Sequence, residues 1–192
     1  MENKQLEYDY TIAKMFMMST LIFGFIGMFL GVLLALRLAW PGFNDILGLS
    51  EYINFSRIRP IHTTGVIYGF TFSGIFAGWY YIGQRVLRVS MAESSFLMFI
   101  GKLHFWLYMT TMLLGVISLF MGISQSNEYS ELEWPIDILF TIFWLLLFYQ
   151  LFKHMQLFYS IPLIILLLNA EAYAFGTLFI LIVIFGSKLL FI

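Results

Sequence analysis

Long apolar stretches alternate with short polar segments along this chain of 192 residues. A helix needs about 20 apolar residues to cross a hydrocarbon core of roughly 30 Å. Four stretches meet that length, near residues 15–40, 62–85, 96–124 and 136–152, and the fourth is the shortest. Residues 157–192 are also apolar but contain Pro162, Asn169 and Glu171, which favours one further helix with an interfacial piece, or a poorly formed pair. The pattern predicts an all-α, polytopic transmembrane bundle of about five helices.

Composition agrees with this interpretation. Of all residues, 61% are hydrophobic and 11% are charged, against about 45–50% and about 25% in soluble domains. The formal net charge of -1 gives no indication of nucleic-acid binding. The absence of cysteine excludes disulfides, thiolate metal sites and covalent haem attachment through thioethers. Any haem would therefore be held by side-chain ligation alone.

The charged residues between the apolar stretches predict an orientation. Basic residues precede the first helix, separate the second from the third and follow the fourth, whereas the segment between the third and fourth is acidic. By the positive-inside rule, this alternation places the N-terminus in the cytoplasm. Arg57 and Arg59 then fall on the outer side, against the rule. Either an anionic partner lies there, or the membrane tolerates two charges.

His62 is the polar residue with the clearest chemical potential. We place it at the head of the second helix, directly after Arg57 and Arg59. An imidazole at the edge of a membrane helix suits axial ligation of haem iron, and the arginines suit the haem propionates. The alternative is a hydrogen bond to a neighbouring helix. His104 and His154 lie at other depths, so neither shares an iron with His62; we expect His104 to be a packing or interfacial residue and His154 a loop residue.

Small residues recur every three or four positions on the first two helices. They are Gly24, Gly27, Gly31 and Ala35 on the first, and Gly65, Gly69, Ser73 and Ala77 on the second. Such stripes let membrane helices approach closely, which is the interpretation favoured for the first helix. On the second helix the stripe shares a face with His62, so it either packs a neighbour or clears space for a flat ring system.

The segment between the third and fourth helices carries Glu128, Glu131 and Glu133. Closely spaced carboxylates suit a hard cation such as calcium, although the segment lacks an EF-hand pattern and a solvated loop is the simpler alternative. Trp134 and Pro135 are typical of an interfacial anchor and the first turn of a helix.

Several of these segments together resemble a known family. Residues 55–70, which contain Arg59-Pro60-Ile61-His62, are similar to the second helix of subunit I of cbb3-type cytochrome c oxidase, a haem–copper oxidase. The likeness extends to residues 79–86 and 128–139, and upstream to residues 8–10 and 38–41, so that it covers roughly residues 8–144. It implies that the bundle is part of the haem–copper oxidase subunit I fold.

The resemblance also implies roles for individual residues. His62 matches an axial ligand of the low-spin haem b, Arg59 with nearby Arg57 matches the propionate partners, and Glu128 matches a calcium-binding carboxylate. The parent enzyme passes electrons from cytochrome c through haem b to a haem b3–copper centre, reduces oxygen and pumps protons. The chain is then expected to be a multi-pass protein of the bacterial inner membrane, surrounded by membrane lipid and associated with the other oxidase subunits, including those of cytochrome c type.

Departures from the family limit this expectation. The family subunit has about twelve helices, and this chain matches neither its second haem b ligand nor its ligands for haem b3 and copper. We therefore expect an N-terminal oxidase-like region over residues 1–150, a divergent apolar tail over residues 151–192, and no oxidase activity from the chain alone. A truncated or frameshifted product is one hypothesis for this difference. A non-enzymatic membrane haem-b protein and an inactive fragment are the alternative functions.

Overall fold

The computed structural model describes residues 7–40, 42–43, 54–125 and 131–156, and within these ranges every regular element is helical. Four stretches of α-helix are long: α1 spans Thr11–Ala39, α3 Phe72–Leu87, α4 Ser95–Met121 and α5 Trp134–Gln156. The shorter α2, Phe55–Thr64, leads through a π-helix at Gly65–Thr71 directly into α3, and a 3-10 turn at Met91–Glu93 precedes α4. The all-α prediction is confirmed for the described residues.

The elements make four passes in alternating directions. We call the end where α1 begins the lower end and the end where α1 finishes the upper end. The second pass is the unbroken helical run of residues 55–87, formed by α2, the π-helix and α3. Three helices, α1, α4 and residues 134–151 of α5, are by length and composition apolar enough to cross a membrane. The four predicted helices are therefore present, while residues 157–192 and Glu128 lie outside the described residues.

The second pass begins earlier than the sequence pattern predicted. It starts at Phe55, so His62 lies about two turns inside the helix and the predicted position at its head is wrong. The first turns carry polar residues, which hide them from a hydropathy pattern. Asn54 starts the helix instead, because its side-chain oxygen accepts a hydrogen bond of 2.9 Å from the Arg57 backbone N–H. Side-chain capping of this kind satisfies a donor that the first turn leaves open.

Partners from a neighbouring helix and from the same run hold the π-helical segment. The Tyr108 hydroxyl of α4 lies 2.7 and 2.8 Å from the carbonyl oxygens of Tyr68 and Gly69, and shares its one proton between them. The Ser73 hydroxyl also donates to the Gly69 carbonyl. A π-helix widens the turn and weakens the regular ladder, and such segments are frequent at functional sites. Here the extra partners compensate for that weakening.

Aromatic rings fill the lower half of the bundle. Phe16, Phe76, Tyr108 and Phe143 are completely buried. Phe76 packs edge-to-face against Phe16 and Tyr108, with ring centroids 5.3 and 5.5 Å apart. Edge-to-face pairs add about 0.5–1.5 kcal/mol beyond the buried area. This cluster joins α1, α3, α4 and α5 into one core.

A glycine terminates α4 at its upper end, and an arginine caps one of its last carbonyl groups. Gly122 adopts φ 77°, a left-handed conformation that an L side chain rarely takes. The Arg57 Nη1 atom donates to the Phe120 carbonyl at 2.8 Å. A cation at a helix C-terminus interacts favourably with the helix dipole, so Arg57 ties the start of the second pass to the end of the third.

Candidate functional site

His62 reaches from the second pass to α1. Its Nδ1 atom lies 2.9 Å from the carbonyl oxygen of Gly27. A carbonyl only accepts, so Nδ1 carries the proton and Nε2 keeps its lone pair. Nε2 makes no hydrogen bond within the described ranges, and the residue is only partly buried. Histidines that ligate a metal usually donate their other ring N–H to a carboxylate or a backbone carbonyl, and His62 makes such a hydrogen bond.

Two glycines of α1 make this close approach feasible. A Cβ atom on Gly31 would lie 3.0 Å from His62 Cε1, and one on Gly27 would lie 2.9 Å from Val66 Cγ2. Gly24 similarly faces the ring of Phe70 at 2.9 Å. The packing interpretation of the first small-residue stripe is therefore confirmed. The same stripe has a second consequence, because it leaves the Gly27 carbonyl accessible to His62.

The small residues of the second pass have two different kinds of surroundings. A Cβ on Gly69 would lie 2.8 Å from Phe23 of α1, so Gly69 serves close packing. A Cβ on Gly65 would meet nothing within 4 Å, and Gly65 lines a cavity of about 340 Å³ between α1, the second pass and α4. Only the part of the stripe nearest His62 leaves open space.

The two arginines before His62 differ in their surroundings. Arg57 is partly buried and donates to Phe120 of α4. Arg59 is exposed at the upper end, and its backbone carbonyl accepts from the Thr63 hydroxyl at 3.1 Å. Arg59 lies about 0.8 turn, and Arg57 about 1.4 turns, above His62 along the helix.

His104 lies in the lower half, away from His62. It is completely buried, with its ring centroid 5.1 Å from that of Phe16 and 5.0 Å from that of Phe76. Its Nδ1 atom lies 2.9 Å from the Tyr80 hydroxyl. His62 contacts Gly27, eleven positions above Phe16 on α1, which corresponds to a separation of about 16 Å. The expectation that His104 is a packing residue is confirmed, while the side chain of His154 lies outside the described residues.

The acidic site is only partly described. Glu128 lies outside the described residues, so calcium binding there stays a prediction. Within residues 7–40, 42–43, 54–125 and 131–156, no group of three or more His, Asp or Glu side chains is placed to hold a metal ion. Asp137, in the first turn of α5, is 8% exposed. The helix begins at Trp134, as the sequence predicted.

Sequence reasoning missed two polar features. One is the buried set Tyr80, His104 and Gln150, in which Tyr80 donates to the Gln150 amide oxygen and the Gln150 amide nitrogen donates to the Leu97 carbonyl at 2.7 Å. The other is Arg37 of α1, which is only 7% exposed. A polar residue within a long apolar stretch was the available signal for each.

Comparisons with known proteins define the class. The family model for cytochrome c and quinol oxidase polypeptide I matches residues 11–191. The chain therefore belongs to the cytochrome c and quinol oxidase polypeptide I family, whose members are membrane oxidoreductase subunits.

The similar proteins indicate which type of oxidase subunit this chain resembles. The chain is 41% identical over 137 residues to the cbb3-type cytochrome c oxidase subunit CcoN1 of Stutzerimonas stutzeri, which covers 71% of this chain and 27% of that protein. It is 33% identical over 141 residues to a cytochrome c oxidase subunit 1 homolog of Agrobacterium tumefaciens, covering 73% and 25%, and 31% identical over 138 residues to cytochrome c oxidase subunit 1 of Rhodobacter capsulatus, covering 72% and 25%. The predicted resemblance to the cbb3-type subunit is confirmed. The chain spans about a quarter of the length of these relatives.

Proposed function

We propose that this chain provides one side of a low-spin haem b site in a cbb3-type cytochrome c oxidase, with His62 as one axial ligand. The observation that carries the proposal is the 2.9 Å hydrogen bond between His62 Nδ1 and the Gly27 carbonyl. It fixes the tautomer in which Nε2 presents its lone pair. A bound haem supplies a carrier for single electrons, whose potential depends on axial ligation and on nearby charge.

The residues of the chain bind and orient within this scheme. Gly27 holds the imidazole, and Gly31 leaves room for it to lie against α1. Arg57 and Arg59 place positive charge toward the upper end, where haem carboxylates would gain charge-assisted hydrogen bonds. Arg57 is itself held by the Phe120 carbonyl, so its guanidinium group is restrained before any carboxylate arrives.

The rest of the proposal concerns the assembled enzyme. The parent activity is electron transfer from cytochrome c to oxygen with proton pumping, carried out together with haem b3, copper and the other oxidase subunits, including those of cytochrome c type. The chain lies in the bacterial inner membrane with its N-terminus in the cytoplasm, and Glu128 contributes to a calcium site. We expect no oxidase activity from the chain alone, because it matches none of the family's ligands for haem b3 and copper. Residues 1–150 form the oxidase-like region and residues 151–192 a divergent tail.

Haem titration tests the proposal with the purified chain in detergent. We expect it to bind haem b in a high-spin state that converts to a low-spin spectrum when millimolar imidazole supplies the second ligand. His62→Ala should abolish this conversion, while His154→Ala should leave it unchanged. A low-spin spectrum without imidazole would favour instead a membrane haem-b protein whose second ligand comes from another copy or a partner. If the chain takes up no haem, or if His62→Ala takes up as much haem as the unmodified chain, the proposal is wrong and the result favours an inactive fragment.

Gly31→Val tests the geometry behind the ligand. Because a Cβ at Gly31 would lie 3.0 Å from His62 Cε1, a branched side chain should displace the imidazole and weaken haem binding at least tenfold. Gly78→Val is the matched control, since a Cβ at Gly78 would meet nothing within 4 Å. Equal haem affinity in the two variants would contradict the role of Gly31.

A further inference from the structure

The cavity between α1, the second pass and α4 is apolar and has room for a small ligand. Its volume is about 340 Å³, and its walls include Phe23, Gly27 and Leu30 of α1, Gly65 of the π-helix, and Met112 and Phe120 of α4. Small-molecule pockets occupy about 300–1,000 Å³ and are lined mainly by apolar side chains. His62 is not among the lining residues, so the cavity is separate from the proposed haem ligand.

The cavity opens sideways. Three of its lining residues are large apolar side chains with substantial exposure: Ile22 at 52%, Ile26 at 47% and Leu113 at 61%. All three lie in α1 or α4, which have the length and composition of membrane-spanning helices. At this depth the surrounding medium is hydrocarbon. A lipid acyl chain therefore has a direct path into the cavity.

Arg37 continues the cavity-lining face of α1 toward the upper end. Phe23, Leu30 and Arg37 follow one another at intervals of seven residues, which is about two turns. Arg37 is 7% exposed, and its Nε and Nη1 atoms find no hydrogen-bond partner among the residues that the structure describes. A buried cation without a partner is costly, so this position favours an anion. Trp40, 56% exposed and three residues further on, is typical of the membrane–water interface.

A second positive group lies at the same rim. Phe120 lines the cavity, and its carbonyl oxygen accepts from Arg57 at 2.8 Å. Arg37 therefore places a buried positive charge above the upper end of an apolar, laterally open cavity. An amphipathic anion with one long hydrocarbon chain matches both parts of this surface.

We propose that the cavity binds one acyl chain of an anionic membrane phospholipid, whose phosphate group pairs with Arg37. The hydrocarbon chain would follow Leu30, Gly27 and Phe23 down α1, and Gly65 provides its width. The headgroup would compensate the buried guanidinium at the depth where lipid phosphates lie. This binding does not depend on haem at His62.

Native mass spectrometry of the purified, delipidated chain tests the proposal, with phosphatidylglycerol and phosphatidylcholine added at equal concentration. We expect one retained phosphatidylglycerol, favoured over phosphatidylcholine at least fivefold. Arg37→Gln should bring the preference close to unity, and Arg37→Lys should restore much of it. Arg88→Gln, which removes an exposed charge at the lower end, should change nothing.

A second pair of variants tests the cavity itself. Gly65→Leu should fill the cavity and reduce retention of both lipids, whereas Gly78→Leu, where a Cβ also meets nothing within 4 Å, should not. Circular dichroism of every variant checks that helix content is preserved. Equal retention of the two lipids by the unmodified chain, an unchanged preference in Arg37→Gln, or the same loss in Arg88→Gln would each overturn the proposal.

Discussion

His62 and His104 lie in opposite halves of the bundle and have the same protonation pattern. His62 donates through Nδ1 to the Gly27 carbonyl. At His104, the Tyr80 hydroxyl uses its proton on the amide oxygen of Gln150, so His104 Nδ1 must be the donor to Tyr80. Both rings therefore keep the lone pair on Nε2. This tautomer follows from the hydrogen-bond network.

Access is what separates the two histidines. His104 Nε2 is buried without a partner in the described part of the chain, among the rings of Phe16, Phe76 and Phe143. His62 is only partly buried, and its Nε2 makes no hydrogen bond within the described part of the chain. A ligand needs room at its free nitrogen as well as the right tautomer. The closed lower half has the tautomer without the room, and the upper half has both.

The largest expected difference between the two histidines is that removing one lowers stability, whereas removing the other abolishes haem binding. His104→Ala leaves a cavity in the aromatic core and takes a partner from Tyr80, so we expect the free energy of unfolding to fall by about 2–4 kcal/mol. His62→Ala should change it by less than about 1 kcal/mol while removing haem binding. Denaturation in mixed detergent micelles, followed by circular dichroism, measures both. A larger stability loss for His62→Ala would reverse the comparison.

The second largest difference between the two halves should appear when a glycine in each half is given a side chain. A Cβ at Gly101, in the lower half, would lie 2.2 Å from Ile12 Cδ1 and 3.0 Å from Gln150 Nε2. Because overpacking of a dense core is unfavourable, Gly101→Ala should lower the free energy of unfolding by about 1–3 kcal/mol. Gly65→Ala, in the upper half, meets open space and should not lower it. The same denaturation assay applies, and equal losses would show that the upper half is as tightly packed as the lower.

The smallest effect should come from the start of α1. Asp9 accepts a hydrogen bond of 2.8 Å from the Thr11 backbone N–H, and the hydrogen bonds from Thr11 lower the pKa of Asp9 below its ordinary value. Because the pKa is lower in the folded state, the ionised carboxylate stabilises the fold at pH values above its unfolded pKa of about 3.9. This stabilisation is lost as the pH falls from that value through the folded-state pKa. Asp9→Ala should cost about 0.5–1 kcal/mol at pH 7 and less at pH 3. A loss that is independent of pH would contradict this assignment.

Much of the fold followed from the sequence, and the site followed in part. The four helices were predictable because apolar length is an almost sufficient signal in a membrane protein. The start at Phe55 was not, because it depends on the Asn54 side chain rather than on hydropathy. For His104 the sequence predicted a packing role but not the hydrogen bonds that link it to Tyr80 and Gln150. Those bonds join residues that are 24 and 70 positions apart in the sequence.

The sequence by itself determined the membrane-spanning architecture, the family through the segment around His62, and the absence of cysteine chemistry. These are properties of residue type and order. Only the tertiary structure decided which nitrogen of His62 stays available, because that depends on the Gly27 carbonyl of another helix. It likewise decided that Gly69 packs while Gly65 faces a cavity, and that Arg37 is buried. Distance between helices, which no local pattern encodes, is the physical reason for the difference.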